Sequence, residues 1–236
     1  MIDLYTWPTS NGHKVHIMLE ECGLDWTAHP VRIGRGEQFA PEFLRISPNN
    51  KTPAMVDRDG PDGQEVAVFE SGAILIYLAE KTGLFLPASG AARYDVLQWL
   101  MFQMANVGPM LGQAHFFLKY APDHFDTGLL GVGQNRYRNE ANRIYNVLDR
   151  HLATREHVAA DAYTIADMAI WPWLRAPAFQ GVDLGDYPHV ARWHAAIAER
   201  PAVQRALMTL EENNRRSVHN DDEWEIMFGA IQYQRR

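Results

Sequence analysis

Apolar and polar residues alternate over residues 2–7, a period-two pattern that predicts a β-strand. Pro8-Thr9-Ser10-Asn11-Gly12 then breaks the chain, and over residues 13–22 apolar positions recur at three- and four-residue spacing, which predicts a helix. Residues 26–33 read as a second strand and residues 41–46 as a short helix after a glycine-containing loop. Two strands joined through a helix predict a parallel pair with a right-handed crossover. Residues 54–57 and 65–69 are short β-branched runs separated by Asp59-Gly60-Pro61-Asp62-Gly63, a hairpin signature. A helix starting at Ser71, with Ile74, Tyr77 and Leu78 on one face, closes this half.

The resulting order over residues 1–86, β-α-β-α-β-β-α, is a thioredoxin-like α+β arrangement. Gly, Pro and Ser cluster in residues 83–90, and the domain boundary is expected there. From residue 91 onward helical periodicity dominates, as in Leu97, Leu100, Met101 and Met104, so residues 91–212 are expected to form an all-α helical bundle. Within it, Thr164-Ile165-Ala166-Asp167 has the spacing of a capping box ahead of the apolar run from Met168, and Pro172 is expected to shorten or kink the helix. Residues 213–236 form a polar tail that still carries Trp224, Ile226, Met227, Phe228 and Ile231. Packing on the body, packing on a partner subunit and disorder are all open for such a segment.

Composition narrows the classes. With 47% hydrophobic and 22% charged residues, the 236-residue chain is an ordinary globular one. Its formal net charge of -7, without a basic run, argues against nucleic acid as a partner. The apolar stretches are too short and interrupted to span a membrane, and the first residues have no secretory pattern, so a cytoplasmic protein is expected. A single cysteine, Cys22, excludes an intramolecular disulfide and a Cys-x-x-Cys pair. It falls in helical register with Val15, Met18 and Leu19 and adjoins Glu20 and Glu21, which fits core packing better than a reactive thiolate. His13 and His16 share a helix but have no third ligand at suitable spacing, so no metal is expected.

The most informative chemistry sits at a strand-to-helix junction, Val66-Ala67-Val68-Phe69-Glu70-Ser71-Gly72. The N–H groups and dipole of a helix N-terminus favour a carboxylate beside Ser71, while Glu70 offers a negative partner for an amine. Together they describe a site for a free amino-acid end. The plain alternative makes Ser71 a helix cap and Glu70 a solvated acid.

Glu70-Ser71 combined with Asn49-Asn50-Lys51-Thr52-Pro53-Ala54-Met55-Val56, in a thioredoxin-like half followed by a helical half, resembles the glutathione transferases. Pro8-Thr9-Ser10-Asn11-Gly12-His13-Lys14, residues 38–51 and Gly108-Pro109-Met110-Leu111-Gly112-Gln113 are similar, more narrowly, to the bacterial Nu class. The likeness runs from residue 1 to about residue 210; residues 123–133 are longer than the family pattern. It implies glutathione as cosubstrate, with Glu70 and Ser71 at the γ-glutamyl end and Gln38 and Lys51 near the glycyl end. It also implies that the Thr52 backbone pairs with the cysteinyl amide, next to a cis Pro53, and that Arg136 contacts glutathione.

By the same resemblance, the Thr9 hydroxyl and the Asn11 backbone N–H face the sulfur, with Ser10 as the competing hydroxyl. Donors and a helix N-terminus beside a sulfur lower its pKa, so glutathione would be held as thiolate. The Nu class implies a disulfide reductase without an essential protein cysteine, assembled as a homodimer, with a small disulfide bound between the domains. Two rivals remain open: conventional conjugation of an electrophile, and a non-catalytic scaffold of the same fold. His115, Phe116, Phe117 and Tyr120 form an aromatic patch that fits either a substrate wall or simple packing.

Overall fold

A computed structural model describes residues 1–213 and 220–234 of the chain. Residues 214–219 and 235–236 of the expected tail therefore lie outside the described residues. The chain divides into two compact units, Met1–Leu75 with Arg205–Arg236, and Ile76–Gln204.

The first unit is built on a four-stranded mixed sheet in the order β2-β1-β3-β4, formed by β1 (Ile2–Thr6), β2 (Trp26–Pro30), β3 (Ala54–Asp57) and β4 (Val66–Phe69). The expected parallel pair is present: β1 runs parallel to β2, from Ile2 opposite Trp26 to Thr6 opposite Pro30, and helix α1 (Ser10–Cys22) connects them. β3 pairs antiparallel with β1 and forms a hairpin with β4, Ala54 opposite Phe69 and Asp57 opposite Val66. β2 stops earlier than its apolar pattern: the Val31 N–H still donates to the Thr6 carbonyl at 2.8 Å, Pro30 sits on the outer edge where its missing N–H costs no ladder bond, and a 3-10 turn from Ile33 leads to Gly36, whose φ of 79° suits glycine. The short helix α2 (Pro41–Leu44) begins with proline at its first position, where the missing N–H costs nothing.

Burial explains the pattern of α1. Residues 12–19 are all buried, so this helix is a central element of the unit rather than an amphipathic cover. Leu4, Val15, Ile17, Met18, Leu19, Met55, Ile74 and Leu75 are fully enclosed. Gly12 is required by a close approach: a Cβ there would stand 2.1 Å from the Trp7 carbonyl oxygen and 2.9 Å from Thr6 Oγ1. Helix α3 (Ser71–Thr82) starts directly after β4.

The second unit is helical. Its main elements are α4 (Gly90–Phe102), α5 (Gly108–His115), α6 (Thr127–Leu152), α7 (Ile165–Ile170), α8 (Pro188–Ala198) and the start of α9 (Pro201–Met208). Val96, Leu100, Leu111, Ile144, Tyr145, Leu148, Trp171 and Trp193 lie in its core. The capping box forms as its spacing predicts: Thr164 accepts from the Ala166 N–H, and Asp167 accepts from the Thr164 N–H at 3.0 Å. Asp167 is fully buried and also accepts from the Val158 N–H and from Trp193 Nε1. Pro172 ends α7, and residues Trp171–Leu174 continue as a 3-10 turn. The apolar register of α4 differs from the expected one. Val96, Leu100, Gln103 and Val107 are buried at ordinary four- and three-residue spacing, whereas Met101 is 49% exposed, one position off that stripe; a π-helical turn over Gln103–Val107 follows α4.

The described part of the tail packs on the first unit. Helix α10 (Asp221–Phe228), capped by Asn220, lies against the 3-10 turn Ile33–Arg35. Glu223 there approaches Gly34, and Ile226 approaches Gly36.

Candidate active site

Sheet register gathers the expected residues of the first unit. Tyr5 pairs with Ala54 and Ala54 with Phe69, so three chain segments leave the sheet at the same end. They are the loop after β1 that carries Thr9, the Thr52-Pro53 approach to β3, and the Glu70-Ser71 exit from β4.

Thr9 is the N-cap of α1. Its Oγ1 accepts from the Gly12 N–H at 3.2 Å, and its carbonyl accepts from the His13 N–H at 2.9 Å. A hydroxyl that accepts on oxygen keeps its own proton to donate. Ser10 and Asn11 are the first two residues of the helix and, like Thr9, are half-buried. A helix N-terminus favours negative charge, so an anion beside Thr9 is stabilised by this arrangement. Cys22 lies at the other end of α1, half-buried rather than enclosed as expected, with its Sγ 4.0 Å from Met18 Sδ.

The Thr52–Pro53 peptide bond is cis. The turn before it is held by the buried Ser47 hydroxyl, which donates to the Lys51 carbonyl at 2.8 Å, and by the Asn50 N–H donating to the Ser47 carbonyl at 2.9 Å. Lys51 itself is exposed, and its Nζ donates to Gln232 Oε1 of the tail at 3.0 Å. Gln38 is buried; its Nε2 donates to the Ile33 carbonyl at 3.0 Å, and its Oε1 has no hydrogen-bond partner. That buried oxygen is an acceptor, so it complements an N–H donor rather than a carboxylate.

Glu70 is exposed and has φ of 70°, in the left-handed region rarely entered by residues other than glycine. Its carbonyl accepts from the Ile74 N–H, which starts α3, and the strained turn buries the Ser71 hydroxyl. Beneath it lies a residue that pattern reading did not single out. Lys14, 1% exposed, donates from Nζ to Ser71 Oγ at 3.1 Å. Burial pushes the Lys14 ammonium down to about 7, with the Glu70 charge opposing that shift. The available signal was a lysine set between His13 and Val15, just ahead of the apolar run Ile17-Met18-Leu19.

Arg136 belongs to α6 in the second unit, where it is 63% exposed and sits 3.4 Å from Glu140. Arg143 is the closer partner of that carboxylate at 2.7 Å, and its hydrogen bond holds the Glu140 carboxyl below the usual range. The aromatic patch lies in the same unit. His115 stacks near Trp173 and faces Gln180 Nε2 at 3.1 Å, and Phe117 stacks on Tyr137. Among the described residues, no cluster of three or more His, Cys, Asp and Glu side chains could hold a metal ion, and no helix is long and apolar enough to cross a membrane.

Residues 10–81 match the family model for the glutathione S-transferase N-terminal domain, and residues 134–201 match that for the C-terminal domain. A protein of Escherichia coli (strain K12), disulfide-bond oxidoreductase YfcG, is 48% identical over 92% of this chain and 99% of its own length. Disulfide-bond oxidoreductase YghU of the same organism is 43% identical over 90% of this chain and 76% of its own. Among solved structures, a glutathione transferase family member from Pseudomonas fluorescens pf-5 with two glutathione bound is 49% identical at a TM-score of 0.82, covering 87% of this chain and 92% of that one. A glutathione transferase from Pseudomonas putida, with one glutathione disulfide bound per subunit, is 47% identical at a TM-score of 0.82, covering 88% of this chain and 90% of that one. The chain belongs to the glutathione S-transferase family of enzymes.

Proposed function

We propose that this protein is a glutathione-dependent disulfide-bond reductase of the Nu type, in which the nucleophile is the thiolate of bound glutathione. The observation that carries the reading is the separation of Thr9 and Cys22. They stand at opposite ends of α1, thirteen residues apart in the sequence, which corresponds to about 20 Å of helix. A sulfur bound at the Thr9 end is out of reach of the Cys22 thiol. The relatives named as disulfide-bond oxidoreductases, and the similar structures holding two glutathiones or one glutathione disulfide, support the same assignment.

In this account the Thr9 hydroxyl donates to the glutathione sulfur, the Asn11 backbone N–H adds a second donor, and Ser10 is the neighbouring hydroxyl. Glu70 takes the γ-glutamyl ammonium, Ser71 and the α3 N-terminus take its carboxylate, and Arg136 adds a contact. Thr52, ahead of cis Pro53, offers its backbone to the cysteinyl amide, and Gln38 and Lys51 serve the glycyl end. The thiolate attacks the glutathionyl sulfur of a mixed disulfide. The S–S bond breaks, the substrate leaves as thiolate and takes a proton from water, and glutathione disulfide remains bound. The protein contributes activation and alignment, with no metal. The reading includes a cytoplasmic homodimer, with residues 1–86 as the glutathione-binding domain, 91–212 as the helical domain and 213–236 as the tail.

The test is turnover of a small glutathione mixed disulfide beside conjugation of an aryl halide, with reduced glutathione as cosubstrate in both. Faster disulfide reduction is expected. Preferred conjugation would move the protein to the conventional transferases, and no turnover with unchanged thermal stability on adding glutathione would favour a scaffold.

A further inference from the structure

We propose that Lys14 is a positioning residue for the γ-glutamyl end of the ligand: from beneath the β4–α3 turn its ammonium orients the Ser71 hydroxyl and supplies the positive charge that holds the ligand's α-carboxylate. The inference rests on the proposed glutathione site and adds a residue to it.

Three observations carry it. Lys14 Nζ donates to Ser71 Oγ at 3.1 Å, which places a buried ammonium directly against the hydroxyl at the start of α3. Lys14 is 1% exposed in a wholly buried segment of α1, where a lysine contributes less to packing than an apolar side chain and costs desolvation. The same turn holds Glu70 at φ 70°, so a strained backbone and a buried cation meet at one point, a combination that costs stability and is typical of binding sites. The electrostatics agree. Burial depresses the ammonium while Glu70 supports it, and a carboxylate arriving at Ser71 favours the charged form further. Glu70 and Ser71 alone give a zwitterion site whose positive side is only the helix end. Lys14 adds to that side an ammonium whose charged form the arriving carboxylate favours.

The test is calorimetric titration of the full chain with S-methylglutathione and with its analogue in which 4-aminobutyryl replaces γ-glutamyl, which keeps the ammonium and lacks the α-carboxylate. The wild type is expected to bind S-methylglutathione at least about tenfold more tightly than the analogue. Lys14→Met, which keeps the stem, and Lys14→Gln, which keeps an N–H for Ser71, are both expected to lose most of that preference while binding the analogue as the wild type does. A wild type that binds both ligands equally would overturn the proposal and leave the glutathione site standing. So would a Lys14→Gln protein with full preference, since a hydrogen bond without charge would then suffice, or variants weakened equally toward both ligands, which is the mark of a structural role. Failure of the wild type to bind S-methylglutathione at all would instead refute the functional reading itself.

Discussion

Burying Lys14 has a thermodynamic signature that does not depend on any ligand. The ammonium has an ordinary value of 10.5, taken here for the unfolded chain, and about 7 in the folded protein. Between these values the unfolded chain binds more protons, so stability rises with pH across that window. Below about pH 7 both states are protonated and the penalty is fully present. Two-state linkage with these two values gives a cost of about 4 kcal/mol at pH 7 and about 2 kcal/mol at pH 9. Lys14→Met removes the titrating group and keeps a similar unbranched stem. Urea denaturation of the two proteins from pH 7 to 9 isolates it, because every other titrating group cancels in the difference. The wild type is expected to gain about 2 kcal/mol on the variant over that range. Parallel stability curves would refute the reasoning, since they would mean that Lys14 is solvated or keeps its charge at no cost.

Other perturbations test separate parts of the structure. Gly12→Ala places a Cβ 2.1 Å from the Trp7 carbonyl oxygen; chemical denaturation should show a loss of more than about 2 kcal/mol, and an unchanged midpoint would show that the β1–α1 junction yields. Asp167→Ala leaves the Val158 and Thr164 N–H groups and Trp193 Nε1 without their buried acceptor; a loss of about 3–5 kcal/mol is expected in the same assay. Gln232→Ala releases Lys51, so S-methylglutathione should bind about two- to tenfold more tightly by calorimetry if its glycyl carboxylate has to displace that amide. Weaker binding would make Gln232 a part of the site instead.

The strands of the sheet were legible because their cues are local: period-two alternation, a glycine-rich hairpin turn, and proline or glycine at most of the breaks. The proposed site residues come from resemblance, and the convergence of the segments that carry Thr9, Thr52-Pro53 and Glu70-Ser71 follows from pairings that sequence spacing does not reveal, Tyr5 with Ala54 and Ala54 with Phe69. Two features escaped for physical reasons. Of Leu97, Leu100, Met101 and Met104 only Leu100 lies on the buried stripe Val96, Leu100, Gln103 and Val107, because which stripe of an apolar-rich helix faces the core depends on what packs around it, not on its own spacing. Lys14 escaped because a lone lysine reads as a solvent-facing residue unless the whole circumference of its helix is buried, which depends on what packs around α1. The Lys51–Gln232 contact joins positions 181 residues apart, a distance no local pattern spans.

The central claim is that glutathione, and no protein cysteine, supplies the attacking sulfur. The direct measurement is glutathione-dependent reduction of a small mixed disulfide by the wild type, Cys22→Ala and Thr9→Ala. Cys22→Ala should keep the wild-type rate, while Thr9→Ala should lose about two orders of magnitude, the scale of one removed donor at a developing or stabilised anion. A rate that falls with Cys22→Ala and survives Thr9→Ala would contradict the account.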